Sequence, residues 1–250
     1  MGLRIDLNAD LGEGCPWDME LLKRVTSASV SCGAHAGVPE DIQATLFAAK
    51  AKGVVVGAHP GYPDRVHFGR LERAMTRDES CSMILEQVKR LASWAAPLGI
   101  EVCFLKPHGA FYNQAQVEPE IAAGVVQAAI KLGLPLLGLP GSFLEARAKE
   151  LGVRFLAEGF ADRRYTPEGR LVPRTQPDAV LEDPRDISAQ AIQLLTRNVD
   201  TLCIHGDSPN AVRVADVVRA AIHKAAGRIV SFVEMTSTRP LVDLSRTNGS

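Results

Sequence analysis

Four histidines each follow a short apolar segment and have a glycine within two residues: His35, His59, His108 and His205. Imidazole titrates near neutral pH and also binds divalent metals, so a group of histidines favours acid–base or metal chemistry. The glycines let a loop turn tightly beside a ligand. A single histidine of this kind would more often be structural, but the repeated pattern predicts one shared site at the rim of a barrel.

A polar stripe near the start of the chain supplies acids for the same site. In residues 3–11, Asp6, Asn8 and Asp10 alternate with apolar residues, and Glu13 follows. Alternate residues of a strand share a face. A buried parallel strand is normally apolar on both faces, and Asp and Asn are poor strand formers. The stripe therefore predicts a catalytic or metal-binding face at a barrel mouth; the alternative is an edge strand with a solvated face.

Charged residues elsewhere complete the candidate site. Lys106 is predicted to bind an anion or a developing oxyanion, and the alternative is a lysine that reaches the surface from a strand end. Arginine suits a substrate carboxylate or phosphate, and the alternative is that the arginines are solvated. The candidate catalytic residues are Asp10, Glu13, His35, His59, Lys106 and His108. The candidate substrate-binding residues are Asp6, Asn8, Arg70, Arg163, Arg164, His205 and Asp207.

Two kinds of chemistry suit these residues: a divalent metal held by imidazole and carboxylate, and metal-free acid–base catalysis. The sequence has no HExxH or HxH spacing, so any metal ligands would come from different strands. It also lacks a GxxxxGK[ST] loop, a GxGxxG loop after a strand and a GxSxG elbow. Nucleotide binding by the usual phosphate loops and a hydrolase nucleophile elbow are therefore not supported.

The remaining histidines and the cysteines carry weaker signals. The 5 cysteines are widely spaced without a CxxC pair, which argues against a disulfide framework or a structural zinc site. Most are predicted to be small buried residues, and Cys32 is the one considered for a reactive thiol. His67 is a weaker site candidate, and His223 is predicted to lie on the surface.

Apolar, β-branched segments recur along the chain and alternate with helical signals. Strands are predicted near 3–8, 28–32, 54–58, 101–106, 134–139, 153–157, 201–205 and 229–233. Helix starts are predicted at the capping box of Thr76 and Glu79, at Asp183-Pro184 and at Ser208-Pro209. Such alternation is typical of a parallel sheet covered by helices. We predict a single α/β domain over residues 1–250, a distorted (β/α) barrel of about seven strands.

Two segments depart from this alternation. Residues 158–183 form the longest segment without helical signals and contain several arginines. Loops of this length are often lids or binding elements. The tail from about residue 237 is polar at its end and is expected to fray.

Composition limits the classes of function. The chain has 250 residues, 46% of them hydrophobic, and a formal net charge of −1. A nucleic-acid-binding protein needs a basic excess on one face, so this class is not expected. No apolar run approaches the ~20 residues of a membrane span, and acidic residues near the N-terminus do not fit a signal peptide. A cytoplasmic protein is expected.

Several segments resemble the LamB/YcsF family: 5–14, 31–37, 57–65, 106–110, 158–165 and 202–207. The likeness runs in order through nearly the whole chain. The resemblance implies a distorted barrel similar to polysaccharide deacetylases. It also implies a role in the ATP-dependent opening of 5-oxo-L-proline to L-glutamate, with two partner subunits. ATP would then act at the level of the complex, while a divalent cation and a homo-oligomer are left open.

The mechanistic hypothesis divides the roles among the candidates. Asp10, Glu13, His35 and His59 move protons at the lactam nitrogen and the attacking water. His108 and Lys106 stabilise the oxyanion, and Asn8 with an arginine of 158–183 holds the substrate carboxylate. Two alternatives remain: a stand-alone metal-dependent deacetylase or amidohydrolase on the same barrel, and a non-enzymatic carrier of a small acid.

Overall fold

The computed structural model describes residues 2–197 and 199–236, so the predicted frayed tail lies outside the described residues. The strands are β1 Arg4–Leu11, β2 Ser27–Ser31, β3 Val55–His59, β4 Leu136–Gly138, β5 Phe155–Phe160, β6 Thr201–His205 and β7 Arg228–Ile229. The helices are α1 Asp18–Leu21, α2 Pro39–Lys52, α3 Arg77–Ala95, α4 Gly109–Val117, α5 Pro119–Leu132, α6 Phe143–Glu150, α7 Pro184–Leu195, α8 Ala211–Lys224 and α9 Phe232–Thr236. A 3₁₀ turn, Ala96–Leu98, extends α3.

All described strand pairs are parallel, in the order β3-β2-β1-β6-β5-β4, with β7 beside the first residues of β1. Leu105 bridges Ala58 of β3 and Leu136 of β4, so the sheet curls round into a barrel with one incomplete strand. The predicted α/β barrel of about seven strands is confirmed.

Two of the predicted strands are largely missing from the sheet. The segment predicted at 101–106 pairs with β4 only at Leu105, because Pro135 has no N–H to extend the ladder. The strand predicted at 229–233 is wrong beyond Ile229. There Ser231 Oγ accepts a hydrogen bond from the backbone N–H of Glu234, and the chain enters α9 at Phe232.

Local capping residues mark some of the helix starts. Thr76 caps α3 with both hydrogen bonds of the capping box, and Asp183 accepts a bond from the N–H of Arg185 at the start of α7. The start predicted at Ser208-Pro209 is wrong, because α8 begins at Ala211. The backbone O of Ser208 accepts from the N–H of Ala211, which makes a turn before the helix.

The two faces of β1 have different surroundings. Ile5, Leu7 and Ala9 are fully buried in the main hydrophobic core. Asp6, Asn8 and Asp10 are also buried, on the opposite face. That face points into the barrel, where polar side chains of neighbouring strands meet it. No helix within residues 2–197 and 199–236 is both long enough and apolar enough to cross a membrane.

Candidate active site

Polar side chains form a layer around Asp6 in the lower part of the barrel interior, and they hydrogen-bond to one another. Its carboxylate accepts hydrogen bonds from Thr26 at 2.8 Å, Ser27 at 2.7 Å and Thr201 at 2.6 Å. Burial raises the pKa of Asp6 to about 6. Asp10 is four residue steps further along the strand, roughly 13 Å away. The structure therefore does not place Asp6 beside the histidines, and its role in substrate binding stays a prediction.

A buried ammonium group lies above that layer. Lys106 Nζ is 2.8 Å from Glu158, 2.9 Å from Asp10 and 3.0 Å from the Cys203 sulfur. Burial alone would lower the pKa of Lys106, but Asp10 and its other neighbours raise it well above the usual value. The lysine is thus a cation whose hydrogen-bonding capacity is taken up within the protein. Lys106 thus holds Asp10 and Glu158 in place, and its predicted oxyanion role stays a prediction.

Asn8 is engaged in the same network. Its amide donates to Glu158 at 3.0 Å and to Thr201 at 2.8 Å, and its oxygen lies 3.3 Å from Lys106 Nζ. Both amide donors of Asn8 are therefore used within the protein, and its predicted role in substrate binding stays a prediction.

Three histidines surround Glu13 at the carboxyl ends of the strands. Glu13 Oε1 lies 3.0 Å from His35 Nε2, 3.2 Å from His108 Nδ1 and 3.8 Å from His59 Nε2. His59 Nε2 and His108 Nδ1 are 3.0 Å apart. Asp10 Oδ2 adjoins the group, 3.5 Å from His59 Nε2. The structure thus brings together the six predicted catalytic residues.

The protonation states in this group are set by burial and by neighbouring charge. Burial raises the pKa of Asp10 and Glu13, but His59 and Lys106 hold that of Asp10 well below its usual range. His108 and His35 do the same for Glu13. Burial and the nearby His108 lower the pKa of His35 to about 4. At neutral pH the site therefore holds two carboxylates and a neutral His35.

The segment after β3 covers this group. Phe68 has a φ of 56°, and its ring packs edge-on against His35 and His108 at centroid distances of 5.8 and 5.5 Å. Its carbonyl oxygen lies 2.9 Å from His108 Nε2. At Gly69 an added Cβ would lie 2.9 Å from the Cβ of His35, so only glycine permits this approach.

Charged residues form a rim beside the covered group. His205 Nδ1 lies 3.0 Å from Asp162, and its ring stacks on Phe160. Asp207 pairs with Arg70 and lies 3.5 Å from Arg174. The rim therefore contains the predicted residues His205, Arg70 and Asp207, with Asp207 already paired to arginines.

The other two predicted arginines have different surroundings. Arg163 is buried and donates to the backbone oxygens of Val172 at 2.6 Å and Ala179 at 3.3 Å. These hydrogen bonds join distant parts of the 161–183 loop, and the loop in turn covers the Arg163 side chain. Arg164 is exposed and donates to the oxygen of Asp178. Neither guanidinium has a described hydrogen bond or ion pair to the acid–histidine group, and their role in substrate binding stays a prediction.

Sequence reasoning missed several members of the site. Glu158 is a charged residue in the middle of an apolar segment, a signal that could have revealed a buried acid. Asp162 and Phe68 offered no comparable signal, because their contacts depend on loop conformation. Burial raises the pKa of Cys32 to about 12, which disfavours the thiolate form that a reactive cysteine needs. His67 is half exposed and pairs with Asp64, and His223 is exposed as predicted.

Two groups of side chains within the described residues have a geometry that could hold a metal, with their ligand atoms within 4.8 Å of one another. One consists of Glu13, His35, His59 and His108. The other consists of Asp10, Cys203 and His205. In the second group, the ammonium of Lys106 already lies within 3.0 Å of both Asp10 and Cys203. A second cation there would be repelled, so the first group is the better metal site.

Residues 5–237 match the family model of the LamB/YcsF family. The chain belongs to the LamB/YcsF family. Family relatives include the 5-oxoprolinase A subunit of Neisseria meningitidis serogroup C, 40% identical over 91% of this chain and 99% of the relative. Another is the 5-oxoprolinase A subunit of Pyrococcus furiosus, 38% identical over 91% of this chain and 97% of the relative.

Solved structures agree with the fold. The lactam utilization protein of Thermus thermophilus aligns with a TM-score of 0.83 at 37% identity, covering 92% of this chain and 100% of that one. A family 4 carbohydrate esterase of Streptomyces lividans aligns with a TM-score of 0.54 at 12% identity, covering 91% of each chain. The second likeness shows the deacetylase-like barrel alone.

Proposed function

We propose that this chain is the A subunit of a 5-oxoprolinase, which opens 5-oxo-L-proline to L-glutamate with partner subunits and ATP. The observation that carries the proposal is the match to relatives named as the A subunits of 5-oxoprolinases, at 40% identity over 99% of their length. The buried acid–histidine group at the barrel mouth supports it with suitable chemistry.

Opening a lactam requires three events at one carbon–nitrogen bond. Water must lose a proton as it attacks the carbonyl, the oxyanion must be stabilised, and the nitrogen must gain a proton. A five-membered ring also recloses readily, because its amine and carboxylate are held together. ATP hydrolysis would supply the free energy that opposes this reclosure. Since the sequence has no Walker A loop, we assign ATP binding to two partner subunits.

The ionised carboxylates supply the proton acceptor. Asp10 is favoured as the general base, because Lys106 keeps it ionised and it adjoins the covered group. The histidines around Glu13 lie beside this carboxylate, with His59 Nε2 3.5 Å from Asp10 Oδ2. Entry of a substrate requires the segment carrying Phe68 to move, since its ring covers His35 and His108.

The rim arginines suit the substrate carboxylate. Arg70 lies over the Phe68 ring at 4.8 Å and pairs with Asp207, which also lies near Arg174. Two guanidinium groups beside one carboxylate leave positive charge for a second anion. A planar fork can bind a carboxylate through two hydrogen bonds. We therefore assign the substrate carboxylate to Arg70 and Arg174, in place of Asn8.

The test is glutamate release from 5-oxoproline by this chain alone and with candidate partners, with and without ATP. We expect turnover only with partners and ATP together. Asp10→Asn and His59→Ala should each reduce turnover by a factor of about 10² or more. The matched control is His223→Ala, an exposed histidine of α8. Wild-type activity in both site variants would refute the assignment, and turnover by the chain alone would favour a stand-alone amidohydrolase.

A further inference from the structure

We infer that His59, His108 and Glu13 form a divalent-metal site with one open position, and that Zn²⁺ fits it best. The site does not depend on which reaction the barrel performs. The three ligand atoms are His59 Nε2, His108 Nδ1 and Glu13 Oε1, separated by 3.0, 3.2 and 3.8 Å. A tetrahedral Zn²⁺ with bonds of about 2.0–2.1 Å places its ligand atoms roughly 3.4 Å apart.

The far nitrogens of two histidines fix where their protons lie. His59 Nδ1 is 2.8 Å from the backbone oxygen of Lys106, and His108 Nε2 is 2.9 Å from that of Phe68. A carbonyl oxygen only accepts, so both far nitrogens carry hydrogen. In the neutral rings the facing nitrogens are then two lone pairs directed at each other across 3.0 Å. Such a pair requires a cation between them, and a carbonyl behind each ring is the usual support of a metal-binding histidine.

His35 has a different position in the group. Its Nε2 faces Glu13 Oε1 at 3.0 Å, and its Nδ1 is buried without a hydrogen-bond partner in the described structure. A carboxylate oxygen only accepts, so Nε2 must carry the proton. His35 therefore donates to Glu13 and orients it, and we assign it as a positioning residue rather than a ligand.

The charge of the surroundings favours a divalent ion. Glu13, Asp10 and Glu158 are buried carboxylates, and Lys106 is the buried ammonium that pairs with two of them. Counting these four groups alone, the excess is two negative charges. Buried charge without compensation is strongly unfavourable. One divalent cation at the histidines would neutralise the excess, and two imidazole nitrogens with one carboxylate oxygen are a known catalytic zinc set.

The decisive measurement is metal content and affinity, measured without reference to activity. The full chain is purified without a polyhistidine tag and analysed by mass spectrometry for metals. It is then stripped with a chelator and titrated with Zn²⁺ by calorimetry. We expect about one Zn²⁺ per chain and, with Co²⁺ in its place, the visible absorption of a four- or five-coordinate ion. If the stripped chain does not bind Zn²⁺ or Co²⁺, the metal site is refuted. The cation between His59 and His108 would then be a proton that the two rings share.

Variants test the ligand assignment. His59→Ala, His108→Ala and Glu13→Gln should weaken Zn²⁺ binding by more than the roughly 10–100-fold expected for His35→Ala, a positioning residue. His223→Ala should bind like the wild type. Unchanged affinity in the three ligand variants overturns the assignment. If a variant does not fold, Co²⁺ absorption by the wild type, with its loss on chelation, still decides.

The same preparations separate this site from the proposed function. A chain that binds Zn²⁺ but shows no turnover with its partners refutes the function and keeps the site. Full turnover by a complex that contains no metal would support the proposed function and would refute a metal site in the active enzyme.

Discussion

Replacing Lys106 by methionine should destabilise the protein substantially. Methionine keeps a long side chain but removes the charge that lies 2.9 Å from Asp10 and 2.8 Å from Glu158. All three residues are buried. Removing one partner of a buried ion pair costs about 3–5 kcal/mol, because a charge remains in the interior without compensation. We expect the upper end of this range, since two carboxylates lose the same partner.

The free energy of unfolding that Lys106→Met loses should increase as the pH rises. In the wild type, His59 and Lys106 hold the pKa of Asp10 well below its usual range. Ionised Asp10 then stabilises the fold above the ordinary carboxyl pKa, and this contribution disappears only as the pH falls through the lowered value. Without Lys106, the pKa of Asp10 should rise, because only His59 and His205 then oppose the effect of burial. Ionising Asp10 then costs the folded variant more than it costs the folded wild type, so the difference in free energy of unfolding grows as the pH rises through the raised pKa.

The assay is urea unfolding of wild type and variant at about pH 5 and about pH 8, followed by circular dichroism. The control is Lys149→Met, an exposed lysine paired with Glu145, whose loss should stay within about 1 kcal/mol. In the Lys106→Met background, Glu158→Gln should restore stability, because it removes one uncompensated charge. A Lys106→Met protein within about 1 kcal/mol of wild type at both pH values would refute the reasoning.

Three further outcomes are expected. Gly37→Ala should prevent or severely impair folding as judged by circular dichroism and thermal melting, because its φ is 75° and the added Cβ would lie 2.0 Å from the oxygen of Gly12. Native Cys32 should resist iodoacetamide at about pH 8 in a mass-spectrometric assay and react after unfolding, since burial raises its pKa to about 12. Arg70→Gln should raise KM for 5-oxoproline in the reconstituted complex by more than it lowers kcat, because it weakens ground-state binding of a carboxylate. An equal effect of the exposed Arg213→Gln would contradict that assignment.

Much of the fold followed from local signals in the sequence. The alternating polar face of β1 predicted a strand with acids directed inward, and the structure buries Asp6, Asn8 and Asp10 on that face. The histidines that follow strands do meet at the carboxyl ends, because parallel strands all finish on one side of the barrel. Capping residues such as Thr76 and Asp183 predicted helix starts correctly, because their hydrogen bonds are made within three residues.

The sequence did not show how far each side chain lies from the mouth of the barrel. Asp6 and Asp10 share a face of β1, yet only Asp10 reaches the mouth. Lys106 was assigned to an anion because its partners Asp10 and Glu158 are remote in the chain, and their contact depends on the barrel closing at Leu105. Arginines in a long loop could not be sorted by composition, since only the loop conformation buries Arg163 against backbone oxygens.

Asp10 links the buried lysine to the histidine group. It accepts from Lys106 at 2.9 Å and lies 3.5 Å from His59 Nε2. Neutralising it therefore changes both the compensation of Lys106 and the charge beside His59. For this reason the activity lost in Asp10→Asn would not measure a general base alone. The effects of Asp10→Asn and Lys106→Met should be far from additive, because residues in one charge network share partners. An additive double variant would show that the lysine network and the histidine group act independently.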